Sequence, residues 1–213
     1  DQMVSISNKM HGTSFVVGNV KVKKKLSWWE NLLKKVTSIT DETYDIIWAS
    51  RTVVKNKFVN SEVTGGYYGY DLWNDIAKKL RGCIPEGITL YGEAVGQLPS
   101  GKWIQPGYDY GTKPTQFETY IYRITFTNPE GNVFEFSWPQ IQEFCRKYDL
   151  KMVQTFYYGL LKDYAPQIPT GTHWHENFLG KLEKDFMLDR DCPLCSTGVP
   201  EEGVVIRPEK LYS

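Results

Sequence analysis

Four charged residues stand among or beside apolar runs of this chain: Lys9, Arg51, Glu93 and Glu202. Lys9 follows Met3-Val4-Ser5-Ile6-Ser7 and precedes the glycine turn at Gly12. Arg51 lies within Tyr44–Val54, Glu93 within Ile88–Gly96, and Glu202 opens Gly203-Val204-Val205-Ile206-Arg207. Isolated charges are costly to bury, so each of the four faces either one shared polar site or solvent. One lysine, one arginine and two carboxylates suit a nucleotide phosphate with a divalent metal. The carboxylates would hold Mg²⁺ or a ribose, and the arginine a phosphate or a nearby carboxylate. Lysine attacks only as the neutral amine, so its free pKa of about 10.4 must fall through desolvation or a nearby cation.

Local sequence patterns say which elements carry these residues. Met3–Ser7 alternates like a half-buried strand and Phe15-Val16-Val17 resumes as another, so Asn8–Ser14 reads as the turn of a hairpin with Lys9 at a strand end. Lys21–Lys25 is either a solvated strand end or a phosphate-contacting edge. Ser27-Trp28-Trp29-Glu30 has the form of a capping box and predicts a helix to Lys35. Thr43–Val54 reads as strand, with Arg51 either facing the surface or clamping an anion. Gly65–Tyr70 reads as an aromatic loop, and Asp71–Leu80 as a helix that stops near Gly82.

Ile88–Gly96 reads as a strand, and Gln97–Thr115 as a long loop rich in Gly and Pro. Gly96-Gln97-Leu98-Pro99-Ser100-Gly101-Lys102 has a phosphate-loop spacing up to its lysine, but Trp103 replaces the metal-ligating hydroxyl and no helix opens after it. Phe117–Phe126 and Val133–Phe136 read as a hairpin across Asn128–Asn132. Helices are expected over Ser137–Tyr148 and Glu176–Met187, a short strand over Lys151–Val153 and a last strand over Glu201–Arg207.

The expected fold is α+β, mostly antiparallel sheets flanked by helices, as one unit over 1–213. The 213 residues are 41% hydrophobic, which allows a real core and excludes global disorder. The net charge is zero, so any attraction to nucleic acid must come from a local groove. Four cysteines are too few for a disulfide scaffold, and no apolar run reaches transmembrane length. A reducing, intracellular and cytoplasmic setting follows as the expectation, with no membrane partner. The start at Asp1 and the end at Ser213 suggest a fragment of a longer protein. Cys192-Pro193-Leu194-Cys195 is either half of a zinc site, with His173 and His175 as the other half, or a tight turn with two reduced thiols.

Taken in order, these segments resemble the covalent nucleotidyltransferases, the superfamily of RNA ligases, DNA ligases and mRNA capping enzymes. Lys9-Met10-His11-Gly12 resembles motif I, Ser50-Arg51 motif Ia, Tyr91–Gly96 motif III, Tyr120–Ile124 motif IIIa and Glu202–Arg207 motif IV. Histidine in motif I, followed by Thr13, is similar to the RNA-ligase branch typified by the T4 RNA ligase 2 family. Ile104–Gly111 resembles a segment of its phage-type relatives, which would make a phage-encoded origin natural. Each motif alone is weak; five in order are specific.

The resemblance implies a nucleotidyltransferase (ATP-grasp-like ligase) domain whose cofactors are ATP and Mg²⁺ or Mn²⁺. Lys9 would form lysyl-AMP, pass AMP to an RNA 5′-phosphate, and a 3′-hydroxyl would then seal the strand. It further implies that Arg51 contacts the ribose or the 5′-phosphate end, Glu93 holds the ribose, and Glu202 helps hold the metal. Tyr122 would stack on adenine, with Tyr120 as the alternative; His11 would serve the later steps, and Arg207 would belong to the nucleotide site. Three departures stand out. Arg123 takes a place where many relatives carry Asp, Asn8 one where some carry Glu, and no Lys-x-Lys of motif V follows Glu202. The competing readings are a DNA ligase, a GTP-using capping enzyme and a non-catalytic nucleic-acid-binding module of the same fold.

Overall fold

The computed structural model describes residues 2–23, 42–50, 54–56, 69–168, 171, 173–187 and 190–209. The expected helix over 27–35, Arg51 and most of the 65–70 loop lie outside the described residues. The strands are β1 (Met3–Asn8), β2 (Thr13–Lys23), β3 (Glu42–Ala49), β4 (Val54–Asn56), β5 (Ile88–Gly96), β6 (Phe117–Thr127), β7 (Val133–Glu135), β8 (Thr155–Leu160) and β9 (Val204–Pro208). The helices are α1 (Leu72–Leu80), α2 (Trp138–Lys147), α3 (Leu161–Tyr164) and α4 (Trp174–Phe186). Among the described residues two sheets form, in strand orders β8-β1-β9 and β4-β3-β2-β5-β6-β7. The fold is α+β, as expected.

Contacts group the chain into two compact units, one of Asp1–Thr13, Glu93–Tyr122 and Ser137–Ser213, the other of Ser14–Gly92 and Arg123–Phe136. The first unit holds the three-stranded sheet. β1 is its central strand, antiparallel to both β8 and β9. Period-2 alternation sends Ile6 and Ile206 to one face, where they pack with Phe178 and Leu182 of α4 and with Ala165. The opposite face of β1 carries Ser5 and Ser7, both buried.

Buried Ser5 is matched by a buried acid: Glu209 accepts from the Ser5 hydroxyl at 3.3 Å and from the Trp138 N–H at 2.9 Å. The second bond caps the start of α2, where free N–H groups and the helix dipole favour a carboxylate. The Trp138 side chain is itself fully buried, with its indole N–H on Thr155 at 2.9 Å.

In the second unit α1 begins as its sequence predicts. The Asp71 carboxylate accepts the Asn74 N–H at 3.1 Å, and Leu72, Ile76 and Leu80 form the buried stripe. The β6–β7 hairpin also forms as expected, with Arg123 bound by both carboxylate oxygens of Glu135 and lying 4.8 Å over the Tyr91 ring.

Three local expectations change. β1 and β2 do not form a hairpin: β1 already has a partner on each side, and the turn at Gly12 carries the chain from one sheet to the other. Alternation shows which face a strand buries but not which strand lies beside it, so two strands flanking a glycine turn need not pair. Lys151–Val153 forms only a single parallel bridge, Met152 to Ile121. β8 is a strand that the sequence reading passes over, although its Thr-Phe-Tyr-Tyr run is rich in strand formers.

Candidate active site

Lys9 leaves the end of β1 and its backbone N–H is held by the Gly203 carbonyl at 3.0 Å. This bond sets the lysine beside the residues that lead into β9. Its ammonium is ion-paired with Glu202 Oε1, and the same oxygen lies 3.4 Å from His11 Nδ1. The Lys9 side chain remains half exposed, so it can meet a substrate from solvent. The second Glu202 oxygen, Oε2, is buried with no hydrogen-bond partner.

Glu93 joins this group from β5. Its pKa is pushed up to about 7, first by burial and then by the negative charge of Glu202, while the Gly12 N–H bonded to it and the Lys9 charge pull it down. Gly12 is required by space. A β-carbon there would sit 2.3 Å from the Ala94 carbonyl and 2.9 Å from the Glu93 side chain. Only glycine lets the turn after the lysine lie directly on β5.

A second layer sits behind the lysine. Asn8 and Glu201, each one position before a site residue, are both buried, and Asn8 Nδ2 donates to Glu201 Oε1 at 3.1 Å. Burial raises the Glu201 pKa, partly offset by Arg190. The long loop between β5 and β6 adds three contacts to the turn. Gln105 donates to the Gly12 carbonyl at 3.2 Å, Tyr110 accepts the His11 N–H at 2.6 Å, and the Tyr108 ring meets the His11 ring edge-on at 4.7 Å. The sequence does not mark Tyr108 or Tyr110 as site residues. The only signal is their place in the Ile104–Gly111 segment.

The structure therefore brings Lys9, His11, Glu93 and Glu202 together. Tyr122 is half-buried on β6, the neighbour of β5, and the Tyr120 ring is capped by the Lys151 ammonium at 5.7 Å. Arg207 is on β9. It pairs across from Ser5, four residues or about 13 Å along β1 from Lys9, and its Nε is 3.8 Å from Glu209. Arg51 lies outside the described residues.

Cys195 is hydrogen-bonded to Cys192, and burial pushes its thiol up to about 12. Among the described residues no cluster of three or more His, Cys, Asp or Glu is placed to hold a metal. Cys192–Cys195 closes a turn, with the Cys195 N–H on the Cys192 carbonyl at 3.2 Å, and His173 is turned to Glu176 at 3.0 Å.

Glu202 is the carboxylate that could offer a donor to a divalent metal. Glu202 Oε2 is a buried hard oxygen without a partner, and its charge and that of Glu93 oppose each other. Such oxygens are the donors that Mg²⁺ or Mn²⁺ takes.

Lys9 and His11 from the turn after β1, Glu93 from β5 and Glu202 from just before β9 thus share one site of an α+β chain. The family model for RNA ligase matches residues 2–212, and the chain belongs to the RNA ligase family. Membership makes it a ligase with RNA as its substrate class. No curated protein matches the chain significantly. Among the described residues no helix is long and apolar enough to cross a membrane.

Proposed function

We propose that this chain is the adenylyltransferase part of an ATP-dependent RNA ligase of the T4 RNA ligase 2 type. The observation that carries the reading is the convergence of Lys9, His11, Glu93 and Glu202 from three elements on one site. In the first step the neutral Lys9 amine attacks the α-phosphorus of ATP. A P–N bond forms, the bond to the β-phosphate oxygen breaks, and pyrophosphate leaves. The RNA 5′-phosphate then displaces Lys9 and takes the AMP. A 3′-hydroxyl finally attacks that 5′-phosphorus, releasing AMP and leaving a phosphodiester.

Such transfers depend chiefly on alignment and charge neutralisation. Glu202 orients the Lys9 ammonium before ATP arrives and gives it up as the ammonium loses its proton to solvent and the amine turns to phosphorus. Glu93, whose carboxyl is pushed up to about 7 by burial, is placed to hold a ribose hydroxyl. His11, beside the nucleophile and on the same carboxylate oxygen, is placed for the later transfers. Glu202 would help hold Mg²⁺ or Mn²⁺, which supplies charge neutralisation at the phosphates. Tyr122 would stack on adenine and Arg51 would meet the ribose or the RNA 5′-phosphate.

The test is incubation with α-labelled ATP or GTP and Mg²⁺, then denaturing separation. Label from ATP that stays on the protein and is lost in Lys9→Ala supports the reading. Label from GTP alone points to a capping enzyme, and no label with retained RNA binding points to a binding module. Sealing of nicked DNA in preference to RNA would make it a DNA ligase.

A further inference from the structure

The loop between β5 and β6 is tied at two places. On one side Tyr110 accepts the His11 N–H through its hydroxyl at 2.6 Å. On the other, Asp109 accepts from the Ser196 N–H at 2.9 Å and from the Ser196 hydroxyl, and the Tyr110 N–H is directed at the Cys195 sulfur. Tyr108 adds a bond to the Pro200 carbonyl at 3.0 Å, two residues before Glu202. One short segment thus spans the lysine turn and the segment that delivers Glu202.

We infer that Tyr110 is a positioning residue for transfer to Lys9: its hydroxyl fixes the His11 backbone, and the Asp109–Ser196 anchor fixes Tyr110. The inference rests on the proposed transfer chemistry. Three features single out this residue. Tyr110 is buried at 6% exposure, so its hydroxyl is not there for solubility. Its φ is +47°, a left-handed conformation that a bulky side chain adopts only when its surroundings hold it. The bond it makes goes to a main-chain N–H that no strand partner can satisfy, because β1 has ended and β2 has not begun. Without that acceptor the turn would lose the bond that sets His11 and, through it, the approach of Lys9 to Glu202.

The test compares the wild type with Tyr110→Phe, which keeps the ring, and Ser196→Ala, which loosens the anchor. Amide hydrogen exchange at His11 should speed up about tenfold or more in both, with protection of β6 unchanged. Single-turnover labelling from ATP should slow about tenfold while half-saturating ATP stays within about twofold. Unaltered His11 exchange in Tyr110→Phe overturns the inference. So does a loss of protection throughout the first unit, or a slower rate matched by weaker ATP binding, since both describe a general structural role. Absence of label on the wild type sinks the transfer reading and this inference with it. Label on the wild type with normal Tyr110→Phe behaviour sinks the inference alone.

Discussion

The Lys9 ammonium and the Glu202 carboxylate close an ion pair between residues 193 positions apart in sequence. The pair depends on the antiparallel pairing of β1 with β9, in which Asn8 faces Val204 and the Lys9 N–H reaches the Gly203 carbonyl. Its value is in alignment, because an ion pair with a half-exposed lysine adds little stability. Glu202→Gln should therefore change unfolding free energy by less than about 1 kcal/mol. It should slow labelling from ATP by about 100-fold or more. Chemical denaturation and single-turnover labelling measure the two effects separately.

Glu93 sets a pH dependence with a defined sign. Its ordinary value of 4.5 is raised to about 7 in the folded chain, so folding favours the protonated acid. That contribution is complete below about pH 4.5 and is lost as pH rises to about 7, a span worth roughly 3 kcal/mol. Glu93→Gln, which keeps an acceptor for the Gly12 N–H, should flatten this part of the stability curve. The variant should be more stable than the wild type at pH 8 and close to it at pH 4. The same change should abolish labelling. Thermal melts across pH check the first part, and a variant that follows the wild-type curve would refute it.

Gly12→Ala tests the close approach of the lysine turn to β5. The new methyl would stand 2.3 Å from the Ala94 carbonyl, so backbone must move. Overpacking of this kind costs about 1–3 kcal/mol or more. Urea unfolding should show that loss, and labelling should fall with it because the Glu93 to Gly12 bond is displaced.

Asn8→Asp probes the buried layer behind the site. Asn8 donates to Glu201, whose side chain is 1% exposed, and an aspartate there would place two carboxylates together. The expected loss is roughly 2–4 kcal/mol at neutral pH. It should shrink as pH falls, since the raised pKa of Glu201 means that its charge is lost early. Equal losses at pH 4 and pH 8 would show that charge is not the cause.

Much of this protein is written in local sequence. The α1 cap at Asp71, the apolar stripe Leu72-Ile76-Leu80 and the β6–β7 turn follow from capping chemistry, helical spacing and turn residues that act over a few positions. Lys9, His11, Glu93 and Glu202 are also visible, because a charged residue in an apolar run and a glycine after a strand are local signals. Tertiary structure alone decided the partners. Nothing in Met3–Asn8 says that both its neighbours come from beyond residue 154, or that the chain changes sheets at Gly12. The place of Arg207 across from Ser5 and beside Glu209 is likewise set by the register of β9 on β1. Tyr110 looks like one more loop aromatic until folding sets its hydroxyl on His11. The physical reason is the same in each case: propensity and spacing are properties of neighbouring residues, whereas register and long-range hydrogen bonds are chosen by the packing of the whole chain.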